Sequence, residues 1–304
     1  MGNRRFGGIS AAMVTPYDEH GKLNCEMVTC LTRYIIEGGV DGILVCGSTG
    51  EFTVLSTEER KLMAETVAAT AGPEKVMVNI SSMYFAETVE LIQHARDIGA
   101  GAVSAVTPYY YAFDRQALQQ YFTAVACEAD TIPLYLYNMP ANAKNTIVPE
   151  LLGALCKECK NLAGIKDSSM DFMVLTDYLR TVRPDVQVLT GNDAQVLCAL
   201  QSGSAGAVIA CAGLFPALSK GIMTDYLNND LTGAQQKQNV IYGIRQLIRK
   251  ISPVTSHKKV LEYLGFPMGK TRLPFRTLNE AEEKELRTGI ESLGLPVKEA
   301  ILGH

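Results

Sequence analysis

What the sequence lacks narrows it first. Its net charge is only −4, and no block of like charge is long enough to form a tail. A charge that small does not suggest a nucleic-acid or membrane surface. No apolar run approaches the ~18 residues of a membrane span. The first residues, Met1-Gly2-Asn3-Arg4-Arg5-Phe6, are basic but lead into no apolar signal core, so the expected location is cytoplasmic. The four histidines, His20, His94, His257 and His304, fall in no metal-like spacing. The eight cysteines are too sparse over 304 residues for a disulfide scaffold. Cys46, Cys127, Cys198 and Cys211 sit in apolar periodic segments and read as small core hydrophobes. Cys156-Lys157-Glu158-Cys159 is a lone C-x-x-C with no second pair and no nearby histidine, so no metal is expected there.

What is present is ample apolar material, 47% of the chain, in an ordered pattern. Short apolar runs predict strands at 9–14, 42–46, 76–80, 102–106, 133–137, 162–166, 186–190 and 206–210. Amphipathic helices are expected between them, at 26–37, from 56 to about 71, at 86–98, from Asp114 to about 129, at 149–159, from Asp171, at 193–202 and from about Pro216. Ser56-Thr57-Glu58-Glu59 is a capping box opening the second helix. Eight strand–helix units without hairpin signals imply an all-parallel α/β sheet. Eight units fit a closed (β/α)8 TIM barrel better than an open sheet. The doubly wound alternative would usually carry a Gly-x-Gly-x-x-Gly turn after the first strand, and none is present. After residue 228 the pattern changes to helices alone, at 234–251, 256–264 and 279–293. The expected division is a catalytic barrel over 1–228 and a C-terminal helical extension over 229–304. Whether that extension covers a face or supplies an interface is left open.

The sixth strand, Leu162-Ala163-Gly164-Ile165-Lys166-Asp167-Ser168, ends in a lysine. A lysine there can simply snorkel to solvent. It can also sit poorly solvated in an apolar pocket, where its pKa falls and a neutral amine can attack a carbonyl. In a barrel, the side chains at the C-terminal strand ends line the site. That rule gathers Gly47-Ser48-Thr49-Gly50-Glu51, Thr107-Pro108-Tyr109-Tyr110-Tyr111, Tyr137-Asn138-Met139-Pro140, Lys166-Asp167-Ser168 and Gly191-Asn192-Asp193 on one rim. Each has a structural reading taken singly. The glycine loop can be only a tight turn, and the tyrosines can be packing. Together, a lysine, a phenol and a hydroxyl-rich anion loop suit Schiff-base catalysis on a small 2-oxo acid. The lysine forms an iminium, Tyr137 with a relay hydroxyl moves protons, and Ser48, Thr49 and their amides hold the carboxylate. Such chemistry requires no cofactor.

These motifs, Gly47-Ser-Thr-Gly-Glu51, Tyr137-Asn-Met-Pro140, Gly164-Ile-Lys-Asp167 and Leu189-Thr-Gly191, resemble the dihydrodipicolinate synthase/N-acetylneuraminate lyase family of pyruvate-dependent class I aldolases. The resemblance spans essentially the whole chain, including His257-Lys-Lys-Val-Leu-Glu-Tyr-Leu-Gly-Phe-Pro267. It implies that Lys166 is the Schiff-base lysine and Tyr137 the proton shuttle. Ser48 takes the relay-hydroxyl place and Thr49 binds carboxylate. Gly191 and the carbonyl of Val208 line the pocket near the imine. Tyr110 matches a tyrosine that reaches across a tight dimer into the neighbouring site, and the expected assembly is a homotetramer, a dimer of dimers. Asn142 and Ser168 complete the substrate-binding set.

The departures bear on substrate. In the synthase branch an arginine stands at the position of Asn142, and an amide offers no charged bidentate clamp. In the sialic acid lyase branch an Asp-Glu pair follows the glycine matching Gly191, whereas Asp193 is followed by Ala194. Pro140-Ala141-Asn142 resembles 4-hydroxy-2-oxoglutarate and 2-keto-3-deoxy-sugar-acid aldolases, which often have glycine where Lys144 stands. Lys144 could meet an acidic substrate or be a solvated loop residue. The expected function is therefore a lyase cleaving or condensing a 2-oxo acid through a pyruvate enamine. Synthase, sialate lyase and dehydratase activities remain alternatives. So do a non-catalytic 2-oxo acid binding protein and a phosphosugar enzyme using Gly203, Gly206 and Gly213 as a phosphate cup.

Overall fold

The computed structural model describes residues 6–297. Eight strands alternate with helices: β1 (Gly8–Ala12), α1 (Cys25–Glu37), β2 (Gly42–Val45), α2 (Thr57–Ala71), β3 (Val76–Asn79), α3 (Phe85–Asp97), β4 (Ala102–Val106) and α4 (Arg115–Ala129). There follow β5 (Leu134–Asn138), α5 (Pro140–Ala143), α6 (Pro149–Glu158), β6 (Leu162–Asp167), α7 (Phe172–Thr181), β7 (Gln187–Thr190), α8 (Val196–Gln201), β8 (Gly206–Ile209), α9 (Cys211–Leu214) and α10 (Pro216–Leu227). Three helices complete the described residues: α11 (Leu231–Ile251), α12 (Pro253–Tyr263) and α13 (Glu280–Ser292). The expected extension ends in residues 298–304, His304 among them, which with residues 1–5 lie outside the described residues.

Every strand pairs in parallel with the next, and β1 pairs with β8, so the sheet closes into a (β/α)8 barrel. The strands read as unbroken apolar runs because both their faces are covered, by the helices outside and by side chains within. Leu44, Met77, Ala102, Tyr135, Ala163, Leu189 and Val208 fill the interior. Phe6 closes its lower end, its N–H donating to the Tyr135 hydroxyl at 2.7 Å. That hydroxyl in turn donates to Gln187 at 2.5 Å. A polar stack thus seals the bottom, and the open end is left at the top.

Local signals set the helix starts. Ser56 and Glu59 form the expected capping box, and Asp114 accepts from the Ala117 amide. Two points differ. The helix expected over 193–202 begins as a tight turn at Asp193–Gln195, with Asn192 accepting from the Ala194 amide, and becomes α-helical only from Val196. The short helices α5 and α9 directly follow strand ends and carry too few residues for a periodic signal.

Cys46 and Cys211 are buried as expected, but Cys127 and Cys198 are exposed. Along α4 the buried face runs through Leu118, Phe122, Val125, Ala126 and Ala129. At about 100° per residue, Cys127 turns out of that stripe. Cys198 likewise stands off the buried face made by Val196, Leu197, Ala199 and Leu200. Cys156 and Cys159 are both buried free thiols at the end of α6. Among the described residues no three His, Cys, Asp or Glu side chains cluster as metal ligands would.

Candidate active site

The top of the barrel holds a cavity of about 250 Å³. Ser48, Thr49, Tyr137, Asn142, Lys166, Ser168, Gly191 and Val208 all line it. Lys166 enters from β6 and is buried to 3% exposure. Its Nζ lies 4.1 Å from the centre of the Tyr137 ring, across the β5–β6 pairing that sets the two residues side by side. The Tyr137 hydroxyl is 3.3 Å from Ser48 Oγ. Burial on its own pushes the Tyr137 phenol up. The adjacent Lys166 ammonium and hydrogen bonding with Ser48, Ser168 and Lys166 outweigh that and hold the phenol below its usual range.

Gly191 makes the arrangement possible. A Cβ there would stand 2.0 Å from Ser168 Oγ and 2.8 Å from Lys166 Cε. Only the bare backbone lets the lysine pass. Behind Lys166, the Asp167 carboxylate accepts from Asn138 at 2.7 Å and from the Ser169 hydroxyl at 2.8 Å. Asn138 in turn accepts from the Ile147 amide at 3.0 Å. These buried bonds fix the β5 and β6 ends against each other.

The Ser48–Thr49 loop is held from beneath. Cys46 and Glu51 flank it with φ of 53° and 59°, a conformation that strains residues other than glycine. Glu51 is fully buried and pairs with Lys258 of α12 at 2.5 Å. Lys258 Nζ also sits 3.9 Å from the Tyr17 ring centre, and the Arg272 guanidinium 4.4 Å from it. Burial drives Glu51 up and Lys258 down from their usual values, and the mutual attraction of the pair opposes both shifts.

Two residues singled out in the sequence lie elsewhere. Tyr110 does not line the cavity; it is 73% exposed at φ 78°, edge-on to Tyr111 at 4.8 Å. Lys144 is exposed at the C-cap of α5 and is not on the cavity wall, so its solvated reading holds. The phosphate-cup reading fails on topology. Gly203 and Gly206 precede or open β8, at the bottom of the barrel, while Gly213 is in α9 beyond its top.

Sequence reasoning missed another wall. Arg245, Ile248 and Arg249 of α11, and Pro253, Val254 and His257 of α12, also line the cavity. The signal was there. Ile241, Ile244 and Ile248 form a buried face of α11, and Arg245 and Arg249 recur four residues apart beside it. What the sequence did not carry was that this face closes the barrel mouth. His257 is buried, and its Nδ1 bonds the Pro253 carbonyl. Burial lowers its pKa, with the Asp193 carboxylate and that carbonyl opposing.

Known proteins resemble the chain over its length. Residues 5–293 match the dihydrodipicolinate synthetase family. The chain belongs to that family. It is 31% identical to 4-hydroxy-tetrahydrodipicolinate synthase of Thermoanaerobacter sp. (strain X514), over 97% of this chain and 99% of that one. It is equally 31% identical to an uncharacterized DapA-like lyase of Halobacterium salinarum, over 95% of this chain and 94% of that one. Among solved structures it superposes with a TM-score of 0.91 on YagE, an E. coli K12 prophage protein of the family in complex with pyruvate. The two are 30% identical, over 95% of this chain and 99% of that one. Dihydrodipicolinate synthase from Aquifex aeolicus gives a TM-score of 0.91 at 27% identity, over 97% of this chain and all of that one. Family members are pyruvate-dependent class I lyases that work through a Schiff base on a lysine without an external cofactor, and this chain is an enzyme of that lyase class. Among the described residues no helix is long and apolar enough to cross a membrane.

Proposed function

We propose that Lys166 forms the Schiff base, and that the enzyme cleaves or forms a 2-oxo acid of the 2-keto-3-deoxy sugar acid or 4-hydroxy-2-oxoglutarate type. The observation carrying this is the buried Lys166 amine over the Tyr137 ring, with Ser48 within reach of the same phenol. The amine adds to the C2 ketone, and Tyr137, relayed by Ser48, delivers the proton with which the C2 oxygen leaves as water. The resulting iminium draws the electrons of the C3–C4 bond. As that bond breaks, the C4 hydroxyl gives up its proton, an aldehyde departs and an enamine remains. A proton added at C3 and water added at C2 then release pyruvate and free the lysine. The phenolate that Tyr137 becomes on giving up its proton to the C2 oxygen, favoured by a pKa held below its usual range, accepts the C4 proton. Thr49 and Ser48 hold the C1 carboxylate, with Gly191, Ser168 and the Val208 carbonyl around the imine. Asn142 faces the departing half.

Residues 1–228 serve in this reading as the catalytic barrel and 229–304 as its extension, whose α11 and α12 wall the mouth. A homotetramer built from tight dimers would give the exposed Tyr110 its role, in the neighbouring site. The working location is the cytoplasm. A second reading, synthase activity, is favoured by the name of the Thermoanaerobacter relative. The amide of Asn142 weighs against it, because it lacks the charge to clamp a second carboxylate. The test is pyruvate release from a panel of 4-hydroxy-2-oxo acids, beside condensation of pyruvate with aspartate semialdehyde. Release from the panel is expected. Efficient condensation with release from no panel member would replace this reading with the synthase.

A further inference from the structure

The wall that α11 adds to the cavity has an unusual composition. Arg245 and Arg249 stand one helical turn apart, and both line the cavity whose floor holds Lys166. Neither is in an ion pair among the described residues. Arg245 donates to the Met170 Sδ at 3.1 Å and to its neighbour Gln246 at 3.3 Å. Arg249 donates to the same Sδ at 2.7 Å. A thioether is a weak acceptor, and a guanidinium has five N–H donors. Two cations therefore share one poor acceptor, and the remaining donors of a half-buried Arg245 and an exposed Arg249 meet solvent that a ligand can displace.

Holding them together is unfavourable. Like charges at i and i+4 destabilise a helix. Burial and the charge of Arg249 both depress Arg245, against the attraction of Asp193. Asp193 also lines the cavity, but one of its carboxylate oxygens is committed to the Cys211 amide at 2.8 Å. Met170, which ties the two arginines, sits at φ 66°, a strained conformation for a side chain that only orients other groups. A cation pair on a cavity wall, with no carboxylate in an ion pair to it, attracts an anion, and a paired guanidinium surface matches the oxygens of a carboxylate or phosphate.

We propose that Arg245 and Arg249 form an anion-binding wall that selects a 2-oxo acid whose far end carries a carboxylate or phosphate. The proposal rests on the aldolase reading above, because it places the C2 ketone at Lys166 and the far end of the chain at α11. It also relocates the charge that a second acidic group requires. Asn142 supplies none, Lys144 is outside the cavity, and α11 brings its charge from the elements after β7 and β8, against which it packs. Between the two ends, Asn142, Asn192 and Asp193 offer the amides and carboxylate that hydroxyl groups along the chain would use.

The experiment compares matched substrates. Pyruvate release is measured from 4-hydroxy-2-oxoglutarate and from 4-hydroxy-2-oxopentanoate, which lacks the distal carboxylate. A second pair is 2-keto-3-deoxygluconate 6-phosphate and its unphosphorylated form. One anionic member should be preferred in kcat/KM by about 100-fold or more, because the site's charged donors stay unpaired with the neutral analogue. Whichever pair shows that ratio tells carboxylate from phosphate. In the Arg245→Gln/Arg249→Gln double variant the ratio should fall below about 5, and Arg245→Lys/Arg249→Lys should keep part of it. A ratio near one in the natural enzyme overturns the proposal, as does a ratio that the glutamine variant leaves unchanged. Borohydride trapping of pyruvate is run on the same samples. Trapping on Lys166 without an acid preference removes the anion wall and leaves the aldolase reading standing. No trapping removes that reading and this proposal with it.

Discussion

Replacing Lys258 by methionine should weaken both the fold and the site, although Lys258 lines no part of the cavity. Methionine fills a similar volume and removes the charge. Glu51, none of whose side chain reaches solvent, then loses its 2.5 Å partner. Breaking one side of a buried pair costs about 3–5 kcal/mol, because the remaining charge stays desolvated. Arg272 also acts on Glu51, which favours the lower end of that range. In a chain of this size the loss lowers Tm by on the order of 10 °C. The same pair anchors the strained turn bearing Ser48 and Thr49, so trapping of pyruvate should slow in the folded variant. Glu51→Gln should be similarly costly. The double variant Lys258→Met/Glu51→Gln leaves only a buried amide, about 1–3 kcal/mol, and should be more stable than either single variant. Urea unfolding of the four proteins measures the coupling. Single variants that each lose less than about 1 kcal/mol, or losses that simply add, would refute the reasoning.

Other outcomes follow from the same geometry. Gly191→Ala should fold, since the residue does not adopt a left-handed φ, yet its Cβ must displace Lys166 and Ser168; trapping of pyruvate should slow by about 100-fold, and an unchanged rate would contradict the close approach. Tyr137 should be the first tyrosine to ionise as pH rises, because Tyr17, Tyr34, Tyr109, Tyr121, Tyr178 and Tyr263 are all pushed the other way. Spectroscopic titration of tyrosinate should lose its earliest step in Tyr137→Phe and show it shifted upward in Lys166→Ala. A folded-state pKa below the unfolded value also means that Tyr137 adds stability above about pH 10, and that this is lost as pH falls through its folded pKa. Tyr110→Ala should leave trapping of pyruvate by Lys166 in place but slow proton-transfer steps if a second copy delivers that phenol; equal turnover would deny Tyr110 a role.

The barrel was legible because its signals are local. Strands buried on both faces read as plain apolar runs, and Ser56, Glu59 and Asp114 mark helix starts by their own side-chain chemistry. Lys166, Tyr137 and Ser48 were legible for a related reason. Each follows an apolar run, and a closed barrel brings all strand ends to one rim. Residues whose role depends on how elements dock were not legible. Cys127 and Cys198 lie in apolar stretches, but the turn of the helix points them outward. Arg245 and Arg249 reach the cavity only because the buried isoleucine face of α11 packs across the mouth, and the isoleucine spacing marks that face without saying what it docks on. Lys258 looked like any helix lysine, and its partner Glu51 lies 207 positions earlier in a different part of the fold.

The central claim is that Lys166 is the nucleophile. It is tested most directly by incubating the enzyme with pyruvate and borohydride, then locating the reduced adduct by intact mass and peptide mapping. The account predicts a single pyruvate-derived adduct on Lys166, absent from Lys166→Ala. A folded enzyme that gives no adduct, or one that carries it on another lysine, would contradict the account.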